Sequence, residues 1–219
     1  MHRLHRRRST ALLTVSAALV AAPLLTACGS GAHPGAAAVV GGDRIQTAAL
    51  QAQVREVRAA QEASPQAEQL IKATGDLSRE KLNGMIFDRV VDKVAADAGV
   101  SATRKEVQQT RKAAAEQYGG DAQFAAMLLQ QQGTAPDEID TVVRRNILMN
   151  KVADKHGVTN SPEGQKKLME LFSAASESLD IEVNPRYGTW DDENIQLGRY
   201  EAPWLRQLTR DPATGPEGL

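Results

Sequence analysis

The chain has 219 residues, with 26 Lys and Arg against 27 Asp and Glu for a net charge of −1, and aromatic residues make up only 4% of it. Without a basic excess it carries no electrostatic footprint for nucleic acid, and a single cysteine excludes any disulfide within the chain. Ala, Gln, Leu, Val and Glu dominate, a composition suited to helices around one core.

The first residues, "MHRLHRRR", place Arg3, Arg6, Arg7 and Arg8 beside no acid, and residues 11–26 then run without a charge. A basic start, a short apolar core and a small-residue exit form the layout of an export signal. A spanning helix needs ~20 apolar residues, and Pro23 interrupts this run. It closes on Leu25-Thr26-Ala27-Cys28, which resembles the lipobox of bacterial lipoproteins. That resemblance implies a lipidated Cys28, carrying diacylglycerol on its thiol and acyl on its new amine. Residues 1–27 would be removed as a signal peptide, leaving the protein on the outer leaflet of the cell membrane, outside the cytoplasm. A thiolate is the side chain that alkylates readily near neutral pH. The plainer alternative is a secretory signal with an incidental cysteine. A catalytic Cys28 would need a base on a scaffold, which its Ala/Gly neighbours do not build. Loss of the leader and its four arginines leaves 192 residues with a net charge of −5.

Residues 28–38, "CGSGAHPGAAA", read as a lipidated tether without periodicity, at most ~35 Å long when extended. "AVVGGDRIQ" predicts a strand, a tight turn at Gly41-Gly42 and a brief return. Thr47 is the candidate N-cap of a helix to about Glu62, with Leu50, Val54 and Val57 on one face. After a loop with room for a short helical turn, "ASPQAEQLIKATGDLS", comes the strongest pattern, a helix over 78–98 striped by Leu82, Met85, Ile86, Val90, Val94 and Ala98 and stopped by Gly99. Thr103 and Glu106 form a capping box for the next helix, which ends near Tyr118. Asp121 caps a shorter one carrying Phe124, Met127 and Leu128, closed by Gly133. Pro136 opens a long helix that turns Ile139, Val142, Val143, Ile147 and Val152 inward, and Ser161-Pro162 starts another to about Ser176. At "LDIEVNPRYGTWD" the period changes to two, predicting a strand that pairs with 37–40. After Trp190 the pattern dissolves, so the folded domain is assigned to 39–191 and 192–219 to a disordered tail.

Four stretches together resemble one family. They are "AAAVVGGDRIQTAAL", "LNGMIFDRVVDKVAADAGVSATRKEV", "FAAMLLQQQGTAPDEIDTVVRRNILMNKV" and "VNPRYGTWD", spanning roughly 36–191. Their order is similar to the N-terminal chaperone domain of the SurA/PrsA foldases, related in shape to the C-terminal domain of trigger factor. The resemblance implies a mainly α fold, an open helical bundle with a small β element joining the N- and C-terminal segments. Members with prolyl isomerase activity insert a parvulin domain before the closing strand. Here only 159–179 fills that gap, so the resemblance implies a member without that domain and without that activity.

The remaining signals are weak for chemistry. Of four histidines, His2 and His5 belong to the leader, His33 to the tether, and His156 to a helix end where a cation suits the dipole. No His/Cys metal spacing and no phosphate-binding glycine loop is present, so no cofactor or metal is expected and no catalytic residue is assigned. Asp191, Asp192 and Glu193 read as solvated rather than catalytic. The apolar stripes read mainly as core. The candidates for contacting a peptide are Met85, Phe124, Met127, Tyr187 and Trp190, because flexible methionines and large aromatics suit promiscuous apolar contact. The function these features imply is a non-enzymatic chaperone or holdase for unfolded, exported polypeptides. The alternative is an interaction lipoprotein holding one cell-envelope partner.

Overall fold

A computed structural model describes residues 34–199; Cys28, its leader, most of the tether and residues 200–219 lie outside the described residues. The described chain opens with a hairpin of β1 (Ala36–Val40) and β2 (Asp43–Gln46). Gly41 and Gly42 form its two-residue turn with φ of 59° and 84°, the mirror-image turn that matches strand twist. Seven α-helices follow among the described residues: α1 (Thr47–Glu62), α2 (Ala67–Ala73), α3 (Leu77–Asp97), α4 (Arg104–Gln117), α5 (Asp121–Gln132), α6 (Ile139–Lys155) and α7 (Pro162–Ser178). Short strands β3 (Glu182–Val183), β4 (Thr189–Asp191) and β5 (Gln196–Gly198) close the order. The fold is therefore mainly α with small antiparallel strands, as the resemblance implies.

β1 lies between β2 and β3, antiparallel to both, with Ala38 opposite Val183 and Val39 opposite Glu182. The predicted pairing of the two chain segments is thus present, and Asn184 N–H extends it by donating to the Ala37 carbonyl at 2.9 Å. The strand begins earlier than the sequence suggests. Ala36, Ala37 and Ala38, assigned to the tether, are at most 3% exposed. Alanine is a poor strand former, but burial on a packed sheet outweighs that preference.

The folded part also runs later than 191. β4 and β5 form a second hairpin with Trp190 opposite Leu197, and Leu197 is buried. Its outer strand is fixed on α3, where Leu197 N–H donates to Asn83 Oδ1 at 2.7 Å. Residues 192–199 therefore belong to the domain. Their period is hidden because one buried leucine in a three-residue strand leaves no alternation to read.

Helix boundaries follow local chemistry. Thr103 and Glu106 cap each other's backbone at the start of α4, and Ser161 caps α7 through Gly164 N–H. α5 ends on Gly133 in the left-handed conformation, as a C-terminal glycine should. Thr47 is the first residue of α1 rather than its cap, Gln46 flanking it without a side-chain bond. Asp121 likewise follows Gly120 instead of capping α5. In α6 the fully buried leucine is Leu148, while Ile147 is half-buried against α4 and α5. α6 packs on two sides at once, so a single stripe misplaces that pair.

α3 runs through the core. Leu77 joins α1, α2 and α5; Leu82 and Ile86 join the sheet and Tyr187; Val90, Val91 and Val94 join α6 and α7. α4 and one side of α5 pack on the outer side of α6 through Val107, Phe124, Leu128 and Val143, while Leu129 of α5 faces Leu77. Among the described residues no helix is long and apolar enough to cross a membrane.

Gly188, at the entry to β4, has φ of 128°, and a Cβ there would collide with the Gly198 carbonyl oxygen. Gly42 also has positive φ, but open space surrounds it. Gly188→Ala is expected to destabilise the domain by ~2 kcal/mol or more, and Gly42→Ala by ~1 kcal/mol, since only the first adds a clash to the left-handed penalty. Urea unfolding midpoints for the two variants check the order.

Candidate functional site

Three sides of α3 are closely packed, and the fourth is only partly covered. Leu77, Lys81, Gly84, Met85 and Asp88 recur at helical spacing and form one wall of a cleft of about 170 Å³. Gln53 of α1 forms a second wall; Gln132, Thr134 and Glu138, around the end of α5, and Thr141, Val142 and Arg145 of α6 complete it. The lining is mixed, apolar at Leu77, Met85 and Val142 and polar or charged at its other side chains.

Two ion pairs bracket the cleft. Lys81 Nζ meets Glu138 Oε2 at 2.6 Å, and Arg145 Nη1 meets Asp88 Oδ1 at 2.9 Å. The same Glu138 oxygen accepts from Ala135 N–H at 3.0 Å, fixing the turn at the mouth. Burial pushes the Asp88 carboxyl above its ordinary value, and the Arg145 guanidinium pulls in the opposite direction without overcoming it. Arg145 also lies 5.9 Å from the Phe87 ring centroid. Among the described residues the side chains of Gln53, Gln132 and Thr141 make no hydrogen bond, so their donors and acceptors stay available at the rim.

Gly84 is the unusual member. It sits inside a 21-residue helix, where alanine would favour the helix by ~0.5–1 kcal/mol. A Cβ at this position would meet nothing within 4 Å. No packing within the described fold therefore requires glycine there.

The five peptide-contact candidates do not converge. Met85 is in the cleft, half-buried. Phe124 is buried between α4 and α6, stacked on the half-exposed Tyr118 at 5.6 Å, with Met127 packed beside it. Tyr187 is buried under the sheet, its hydroxyl without a hydrogen-bond partner among the described residues. Trp190 Nε1–H donates to Ser176 Oγ at 2.7 Å, and that hydroxyl donates to Asp192 Oδ1, tying α7 to the second hairpin. Burial makes Phe124 and Tyr187 part of the core rather than of a contact surface, and Trp190 serves as a tie. The cleft's charged residues and Gly84 were not visible as a site. The one usable signal is a glycine and an aspartate interrupting the best apolar stripe at Gly84 and Asp88.

A second, largely apolar recess of about 260 Å³ lies between α3 and α7, where Val94, Ala98, Leu171 and Ala175 face His156 and the Lys93–Asp97 pair. Among the described residues no group of three or more His, Cys, Asp or Glu side chains could hold a metal ion.

The family model described as SurA-like N-terminal domain matches residues 1–153, more than half of the chain, ending within the last turns of α6. Neither the curated proteins nor the solved structures compared with the chain include a match.

On the far side of α6, Glu106 accepts from Lys151 Nζ and from the Thr103 backbone and hydroxyl. The lysine bond, with the Thr103 bonds behind it, lowers the Glu106 carboxyl from 4.5 to about 2. A depressed carboxylate contributes stability fully above its unfolded value, lost as pH falls through its folded value. The stability difference between the wild-type chain and Glu106→Gln is therefore expected to be constant above pH 4.5 and to shrink toward pH 2. Urea midpoints measured across that window read it directly.

Proposed function

This chain belongs to the SurA-like N-terminal domain family, whose domains are non-catalytic, chaperone-type and protein-binding, and from that premise we propose that it is a membrane-anchored holdase for exported polypeptides. It binds unfolded segments reversibly, without a cofactor and without catalysis. The observation that carries this reading is the cleft beside α3, whose lining combines apolar Leu77, Met85 and Val142 with charged and hydrogen-bonding side chains. Such a site rewards contact with exposed apolar side chains while keeping the backbone around them solvated, which permits exchange.

The anchor is the Cys28 thiol, which takes its lipid before residues 1–27 are removed, and it holds the domain outside the cytoplasm on the outer leaflet. The Leu25-Thr26-Ala27-Cys28 sequence supports this, as does the basic and apolar leader before it. The anchor localises the binding surface where translocated chains emerge, and the negative mature domain has no use for nucleic acid.

Purified protein at equimolar ratio to an unfolded client is expected to suppress light scattering from its aggregation. Crosslinking in native membranes is expected to yield many exported partners. No suppression, together with one recurrent partner, would identify a dedicated interaction lipoprotein instead. Cys28→Ala is expected to release the protein from the membrane fraction while leaving its circular dichroism unchanged; retention with normal processing would remove the lipid anchor from the account.

A further inference from the structure

The cleft's dimensions say more about its occupant than a general taste for unfolded chain. Lys81 and Asp88 are seven residues apart on α3 and carry the two ion pairs at its ends. At 1.5 Å per helical residue they are ~10.5 Å apart along the axis, the span of about three residues of extended polypeptide. Between them lies Gly84, with open space where its side chain would be. The cleft's volume of about 170 Å³ is close to the ~150 Å³ of an apolar cavity that holds one benzene.

We infer that the cleft binds an extended three-residue stretch of polypeptide and takes its central side chain, a single aliphatic one, over Gly84 against Met85 and Val142. The charges at each end complement the peptide dipoles. Lys81 and Arg145 face carbonyl oxygens and Glu138 and Asp88 face N–H groups, so each end offers both polarities and selects neither a basic nor an acidic client. The Gln53 amide, free of internal hydrogen bonds among the described residues, supplies a further donor and acceptor. One apolar side chain per site accounts for broad specificity: most unfolded segments contain a leucine, isoleucine, valine or methionine between smaller residues. Gly84 sets the depth of the pocket, and this explains a glycine where the helix alone favours alanine.

This assignment rests on the chaperone-type reading, so its test uses a readout separate from aggregation. The probe is an eleven-residue Ser/Gly/Gln peptide with one central Leu, titrated into the full chain while the Gly84 amide and Met85 methyl signals are followed by NMR. Both signals are expected to shift, and replacing the central Leu by Ala is expected to weaken binding about tenfold, as removal of partly buried carbon groups does. Gly84→Leu is expected to abolish the Met85 shift. Gly84→Ala, which improves the helix and clashes with nothing, is expected to weaken binding while raising the unfolding midpoint, so lost binding cannot be lost folding. Equal binding of the Leu and Ala peptides overturns the inference, as does undiminished binding by Gly84→Leu. So do shifts confined to Tyr118 and Phe124 or to the α3–α7 recess. Aggregation suppression that survives Gly84→Leu leaves the holdase standing without this cleft. Peptide binding in the cleft without aggregation suppression leaves the cleft standing without the holdase.

Discussion

Burial of α3 is the constraint on which the rest of the structure depends. The helix has 21 residues and is ~32 Å long, and its apolar residues are distributed around three faces rather than one. Leu77 needs α1 and α5, Leu82 and Ile86 need the sheet, and Val90, Val91 and Val94 need α6 and α7. No single neighbour can cover them, so the other elements are arranged around this helix. Truncating one of these residues removes transfer energy and leaves a cavity, together ~2–5 kcal/mol for a leucine, a large part of a typical domain's stability.

The closing segment follows from the same need. The family match ends at 153, yet Phe172 and Ala175 of α7 cover Val90 and Val94, and Leu197 covers the side of α3 near Asn83. Residues after α6 are therefore structural parts of the domain. β3 pairs with β1 and joins the first strand to the last part of the fold. A second tie operates through polar groups: Ser176, fully buried, accepts from Trp190 and donates to Asp192. Its hydroxyl is satisfied in both directions, as burial of a polar group requires.

Charges set the spacing of helices rather than supply the main stability. Lys81–Glu138 bridges α3 to the turn before α6, Arg145–Asp88 bridges α3 to α6 itself, and Lys151–Glu106 bridges α6 to α4. The first pair is largely buried, with 14% and 13% of its side chains exposed. Its attraction is offset by desolvation, so it fixes the width of the cleft more than it adds to folding energy. Asp88, raised by burial despite its arginine, shows the same balance. Exposed pairs such as Lys112–Glu116 contribute little by comparison.

Most helices were legible in the sequence because each carries its own punctuation. The Thr103–Glu106 capping box, Ser161-Pro162, and the glycines at 99, 133 and 157 act over a few residues and need no distant partner. The family order was legible for the same reason, as was the pairing of the last segment with 37–40. Boundaries failed where burial comes from elsewhere in the chain. Ala36 and Leu197 are in strands only because other elements cover them, and Ile147 and Leu148 exchange roles because α6 has two packed sides. The site failed more completely: of the residues lining the cleft, Met85 alone was a candidate. The sequence by itself determined most of the helices, the capped ends among their limits, and the family, since these rest on interactions within a turn or two. Only the tertiary structure decided that Lys81, Gly84, Asp88, Glu138 and Arg145 share one cleft. Residues separated by more than fifty positions meet there through packing that no local pattern records.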